Sequence, residues 1–451
     1  MLKTLNSALS EDKIKEVVKQ AREAQDEEAS WLALAPLIKV QRHQREAAQA
    51  LVRVVRGRYL GFERGLEVLV QLLDAHKKDS AMLAEIGSAA EGARDIDDLN
   101  SAPPIHPFFE DLVGRLEEQS VELRGQELEE RTLDGLSTTA RMLARQYDEV
   151  AENSYKRLVE LDPDYSGNHY ALGLFYKTRG HFREGVLANQ RAVDLEAEPQ
   201  EAYEWNLGIC ATGARQGSVA LEVWKRMNQK IEMGRFDLPE GGYPQCKVRL
   251  AERPLAERNK DCDDPGLEET IWIQRLSPCH GVVRSVLFQD LGVDYGDVVL
   301  IDGAPITEHT YGESSVPVFP HLATLVQSGY QYFDFAGTQD DTGRLADCSV
   351  DLDTDAIVYS HTESFQILCA SCWRNPDLDH QEHEEVERHV VTGRIAAPPQ
   401  ITAADLLSQL DRAVESRKPC KIYSPSLCEA AGQIDRARFE KRRFDMLQNN
   451  R

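Results

Sequence analysis

The chain is short of basic residues, of cysteine and of long apolar runs, and each shortage excludes something. Lys and Arg number 52 against 76 Asp and Glu, a formal charge of −24 over 451 residues. Phosphate backbones are gripped by basic faces, so broad binding to DNA or RNA is not expected. No run of about 18 apolar residues occurs, so no membrane-spanning helix is expected and no membrane partner. Met1 to Ser10 lacks the basic region and apolar stretch of a secretory signal. Nine cysteines, an odd number, are spread too thinly for a disulfide scaffold. The expected compartment is the reducing cytoplasm. Catalytic signatures are missing too: there is no G-x-x-x-x-G-K-[ST], G-x-G-x-x-G or G-x-S-x-G. Hydrophobic residues still make up 41%, enough to build cores and to exclude a disordered chain. At about 150 residues per domain, the length suggests roughly three domains.

What is present begins with helices. Through residue 235 apolar side chains recur at helical spacing, as in Leu51, Val54, Val55 and then Leu66, Leu69, Leu72 and Leu73. No proline falls between Pro36 and Pro103. A helical tract of that length is a bundle or a repeat array, and self-similarity separates the two. Leu172-Gly173-x-x-Tyr176 is followed by Gly185 and Ala192, and Leu207-Gly208 comes 35 residues after Leu172-Gly173. Ala220-x-x-x-Trp224 follows, and Ala151-x-x-x-Tyr155, Leu158 and Pro163 stand upstream at the spacing of a second helix. This pattern resembles the tetratricopeptide repeat, a 34-residue helix-turn-helix with L-G-x-x-Y in its first helix. Small residues at Gly173, Gly208 and Ala151 let helices approach, while Tyr176, Tyr155 and Trp224 fill the space between. The match is imperfect: His169 replaces the usual Trp, Asn189 the second-helix aromatic, and Pro199 falls two residues late. Weaker echoes run through Gly57–His76 and Ile86-Gly87-x-x-Ala90, so residues 1–131 are degenerate repeats or an ordinary helical bundle.

Prolines and glycines then punctuate residues 236–268, which read as a linker or docking loop. Beyond it lie short strand-like runs: Ile271–Leu276, Val282–Phe288, Val298–Ile301, Tyr330–Phe335, Ala356–Ser360 and Lys421–Tyr423. Asp302-Gly303 predicts a hairpin between Val299–Ile301 and Ala304–Ile306. Thr402-Ala-Ala-Asp405 has the form of a capping box, and Ser424-Pro425 predicts a helix running towards Phe444. The expected fold is therefore multidomain: an all-α helical-repeat solenoid over residues 1–131 and 132–235, a linker over 236–268, and an α+β domain over 269–451.

Four residues of that last domain suggest a metal. Cys369-Ala-Ser-Cys372 has the spacing at which two thiolates share one tetrahedral ion. His380 and His383, three apart, share a helix face and would complete a zinc site. The gap to His380 is shorter than in a zinc finger, and buried cysteines bound to nothing are the plainer alternative. His380-Gln-Glu-His383-Glu lacks the H-E-x-x-H order of a zinc protease, and Asp377–His389 reads as a solvated acidic face. Asp351-x-Asp353-x-Asp355 lacks the Gly and distal Glu of a calcium loop. Cys279-His280 adjoins a predicted strand, where neighbours point to opposite faces, so a thiol nucleophile would need another histidine, such as His309, His321 or His361, to approach in space.

What the repeat resemblance implies is a concave surface, lined by first helices, that holds a partner protein or peptide. On this chain its positions would be Tyr170, Leu174 and Lys177 in one repeat and Ala202, Trp205, Asn206 and Ile209 in the next. Only Lys177 and Asn206 are of the types that clamp a carboxylate, whereas Tyr170 and Trp205 suggest an aromatic groove. The groove filled by the protein's own linker is an open alternative. The functional expectation is a cytoplasmic adaptor or scaffold. Its rival is an enzyme, metal-dependent or not, whose centre lies in the α+β domain and whose repeats recruit the substrate.

Overall fold

The structure is a computed structural model that describes residues 8–94, 106–311, 314–339, 344–361, 390–417 and 420–449. Two compact units account for the chain. Met1–Ala214 joins Leu255–Pro265 in the first, and Arg215–Pro254 joins Gly266–Arg451 in the second.

The described part of the first unit is built of helices: α1 (Glu11–Arg22), α2 (Glu27–Val40), α3 (Arg45–Arg56), α4 (Phe62–His76), α5 (Ser80–Ala89), α6 (Pro107–Glu122), α7 (Glu129–Arg141), α8 (Asp148–Leu161), α9 (Ser166–Thr178), α10 (Phe182–Leu195) and α11 (Glu201–Gly213). Their starts follow ordinary capping chemistry. Ser10, Asp26 and Asp79 accept from the amides of Lys13, Ala29 and Met82, satisfying donors that the first turn leaves orphaned. One continuous apolar core runs from Ile14 to Ala188, so the weak upstream echoes and the clear repeats share a single interior. Successive helices pair, α7 with α8, α9 with α10 and α10 with α11, and α5 lies against α7. Small residues set these contacts, as the spacing predicts. A Cβ on Gly173 would stand 2.5 Å from Cγ of Asn189 in α10. One on Gly87 of α5 would stand 2.8 Å from Cα of Gly135 in α7. This part of the chain is an array of paired helices with small residues at their contacts, as a helical repeat requires.

The expected third repeat is divided. Its first helix is α11, but α12 (Gly217–Arg226) belongs to the second unit and packs on strands β1 (Ile231–Met233) and β2 (Pro239–Gly241). Nor are residues 236–268 a plain linker. They carry β2 and β3 (Cys246–Ala251), because Cys246-Lys-Val-Arg-Leu-Ala251 alternates and pairs along β4 (Glu268–Arg275).

The second unit continues with β5 (His280–Val283), β6 (Val298–Ile301), β7 (Thr307–Tyr311) and β8 (Ser314–Val326). Strand order is β3-β4-β5-β6-β8-β7, and β3 also pairs in parallel with β8. That extra pairing closes five strands into a barrel-like sheet. Cys246, Val248, Leu250, Ile273, Val283, Val299, Ile301 and Phe319 fill its core. The predicted hairpin at Asp302-Gly303 is not formed. Both arms instead bond to the long β8, Ile301 opposite His321 and Thr307 opposite Val318. Beside the barrel in sequence comes a second sheet of order β10-β11-β9-β12, made of β9 (Gln331–Thr338), β10 (Ile357–Ser360), β11 (Val390–Ala397) and β12 (Lys421–Tyr423). Helix α13 (Ala403–Ser416), capped by Thr402 as expected, supplies Leu406, Leu407 and Leu410 to its core. The helix predicted from Ser424 breaks into α14 (Pro425–Ala430) and α15 (Ile434–Asn449). Gly432 between them has φ +75°, a left-handed turn that glycine adopts freely. The second unit is thus α+β, rich in strands.

Candidate functional site

The proposed groove positions lie on α9 and α11, and the structure treats them unequally. Tyr170 and Leu174 are half-buried, Trp205 is half-buried and Ala202 is exposed. Lys177, Asn206 and Ile209 are buried, with only 4%, 4% and 1% of their surface accessible. The Lys177 ammonium donates to Oδ1 of Asn206 at 3.0 Å, which spends both groups on each other within the structure. The accessible portion of this surface is therefore aromatic and aliphatic.

One further aromatic residue joins Tyr170 on this surface. Tyr203, half-buried on the first turn of α11, stacks on Tyr170 with ring centroids 4.6 Å apart and planes 28° from parallel. Its hydroxyl lies 3.4 Å from Oγ of Ser166, which itself bonds Glu196. Trp205 is steadied by its own helix, its Nε1–H donating to Oε1 of Glu201 at 3.3 Å. Aromatic rings fixed in this way have little rotamer freedom left to lose. The signal for Tyr203 was available: Tyr170 and Tyr203 are 33 residues apart, one short of the repeat, which sets them on neighbouring turns.

A second constellation was not legible at all. Arg145, in the turn between α7 and α8, binds the segment Leu255–Pro265. Its amide donates to Oδ2 of Asp263 at 2.8 Å and its Nε to Oδ1 at 3.1 Å, a two-pronged grip on one carboxylate. Its guanidinium also donates to the carbonyls of Leu255 and Thr178. Gly180, at φ +76°, faces Ala256 so closely that a Cβ would collide with its carbonyl. Next to it, Arg179 donates to Asp148 at 2.8 Å and to the carbonyl of Arg141. Burial, and then the neighbouring Arg145 charge, hold the Arg179 guanidinium down to about 10. Charge-assisted bonds of this kind are the strong ones. The two ends of the Arg145–Asp263 contact are 118 positions apart, beyond any local pattern.

In the second unit, the Cys279 and His280 pair is resolved by Ser277. Its Oγ accepts from the amides of Cys279 and His280 and lies 2.5 Å from Nδ1 of His280. Burial pushes His280 down to about 3, so its imidazole is neutral. His309, His321 and His361 of the same unit have partners too: His309 meets Lys247, His321 meets Thr324, and His361 meets the carbonyl of Val286. Cys369, Cys372, His380 and His383 lie outside the described residues. Among the described residues no three His, Cys, Asp or Glu side chains converge as a metal ion would require, and nothing there supports zinc binding. No described helix is long and apolar enough to cross a membrane.

No protein-family model matches the sequence, and no curated protein is significantly similar to it. Solved structures offer only distant likenesses. MamA from Desulfovibrio magneticus RS-1 is 20% identical, covering 40% of this chain and 93% of its own, at a TM-score of 0.28. MamA from AMB-1 is 16% identical over 40% of this chain and 86% of its own, at 0.28. The pilF protein of Pseudomonas aeruginosa is 11% identical over 48% and 91%, at 0.32. The helical-repeat description of the first unit rests on its own helix pairs and their small-residue contacts.

Proposed function

We propose that the protein is an interaction scaffold that binds a partner protein or peptide on the first-helix surface of its repeats. The observation that supports this most is the accessible stacked pair Tyr170 and Tyr203, with Trp205, Leu174 and Ala202 also accessible on the same two helices. Large rings held in place bury much apolar area at small entropic cost, which is why such residues dominate binding energies at interfaces. Lys177, Asn206 and Ile209 on the same two helices are buried. The reading extends to the chemistry of the partner: against a formal charge of −24, a segment with basic flanks associates fastest. The cytoplasm is the compartment that suits nine sparse cysteines.

The test is a pull-down with the intact chain against its Tyr170→Ala/Trp205→Ala variant. Neither side chain belongs to the main apolar core, so helicity measured by circular dichroism should be unchanged. Association should weaken by at least about 1–2 kcal/mol, some tenfold in affinity. A variant that keeps every partner at full strength would remove this surface as the binding site.

A further inference from the structure

Segment Leu255–Pro265 is held to the helical unit almost wholly by polar contacts. Only Leu255 and Arg258 of its residues are buried; Glu257, Asn259, Lys260, Asp261 and Asp264 are exposed. None of the segment enters the continuous apolar core, which ends at Ala188. Hydrophobic burial, the main force fixing a chain segment, is therefore nearly absent. The grip includes Arg145 on the Asp263 carboxylate and the Leu255 carbonyl, with Gly180 making room for the backbone. The receiving side keeps its shape independently, since Arg179 is tied to Asp148 and to the Arg141 carbonyl, and Arg141 to Glu91.

Charge defines what this socket accepts. Without Asp263, two buried guanidiniums, Arg145 and Arg179, would share Asp148, which lies 3.9 Å from one and 2.8 Å from the other. Asp148 alone compensates the two guanidiniums only in part, so a carboxylate is the group that the vacated socket attracts.

We infer that the Arg145 socket is a second peptide-binding site on the repeats, occupied in cis by Leu255–Pro265 and open in trans to an extended segment bearing an Asp or Glu. The socket is formed by the turns that follow α7 and α9, not by the first-helix surface. The inference rests on the reading that the repeats bind a partner, and it names a second, acidic element of that partner. An occupied site lowers the apparent affinity for an outside ligand by the fraction of time it is closed, so loosening the cis segment must raise binding in trans.

The probe is a fluorescein-labelled peptide of sequence Leu255–Pro265 with Ser in place of Cys262, titrated by anisotropy into the full chain. Asp263→Asn in the chain should bind it at least tenfold tighter than the unaltered protein. A peptide with Asn in place of its own Asp263 should lose that binding. Native-state trypsin cleavage after the exposed Lys260 should also be faster in the Asp263→Asn chain, because cleavage requires the segment to leave its seat. Asp263→Asn that is cleaved no faster, or binds the peptide no better, would make the segment a fixed structural strut and overturn the inference. So would equal binding of the Asn peptide. The two sites fail separately: peptide exchange at Arg145 together with an inert Tyr170→Ala/Trp205→Ala variant would sink only the aromatic surface.

Discussion

Replacing Gly173 with Ala tests the repeat packing at one atom. The added Cβ would stand 2.5 Å from both Cγ and Oδ1 of Asn189, so the amide must move. Asn189 is fully buried, its Nδ2 donates to the Gly185 carbonyl at 2.8 Å, and its Oδ1 has no partner in the described structure. Overpacking a core of this density costs about 1–3 kcal/mol, and displacing the amide strands a buried donor at a further cost of about 1–3 kcal/mol. Some relaxation is shared between the two, so the expected loss is about 2–3 kcal/mol. For a helical unit of this size that lowers the melting temperature by about 4–12 °C, followed by circular dichroism at the helix band. The decisive part is the cycle with Asn189→Ala. That substitution removes the obstacle, and its own cost should stay near 1 kcal/mol because half of its amide is already unsatisfied. The double variant should then be more stable than the sum of the singles by at least about 1 kcal/mol. An additive cycle, or a neutral Gly173→Ala, would refute helix contact through Gly173.

Gly87→Ala should cost more than Gly173→Ala, because its Cβ would meet Cα and the carbonyl of Gly135, backbone that cannot swing aside; comparable melting of the two variants would contradict that. His280 predicts a pH effect. Burial holds it at about 3 in the fold against about 6.5 in the unfolded chain, so the stability it contributes is complete above pH 6.5 and declines as the pH falls towards 3. The loss should reach about 3 kcal/mol by pH 4. His280→Gln should remove that portion of the slope in urea unfolding, leaving the part due to His309, which burial and then Lys247 hold at about 4. An unchanged slope would mean that His280 is charged in the fold.

Where the sequence was legible, the reason is local. Leu172-Gly173-x-x-Tyr176 announces a helix pair because a missing Cβ and a large ring at fixed spacing have one use in such a pair. Val298–Ile301 and Lys421–Tyr423 were read as strands with the limits they have. Strand β8 was missed because Pro317 and Pro320 interrupt it, and proline normally marks an edge. Pro320 falls where β8 changes antiparallel partner from β7 to β6, opposite Arg249 of the parallel strand β3. The hairpin at Asp302-Gly303 failed for the same reason: the long strand claimed both arms. In the candidate site, Tyr170 and Trp205 followed from repeat arithmetic, whereas the burial of Lys177 and Ile209 depended on tertiary neighbours. Arg145 and Asp263 meet through folding alone, and no spacing rule reaches across 118 residues.

Whether the accessible aromatic residues Tyr170, Tyr203 and Trp205 form a contact surface is tested by site-specific photocrosslinking. A benzophenone side chain placed at Trp205 should form a discrete adduct with a second polypeptide inside cells. The same group at Leu187, on α10 and 74% exposed, should form none. The adduct should disappear when Tyr170→Ala is added. Adducts of equal yield at both positions, or at Leu187 alone, would contradict the claim.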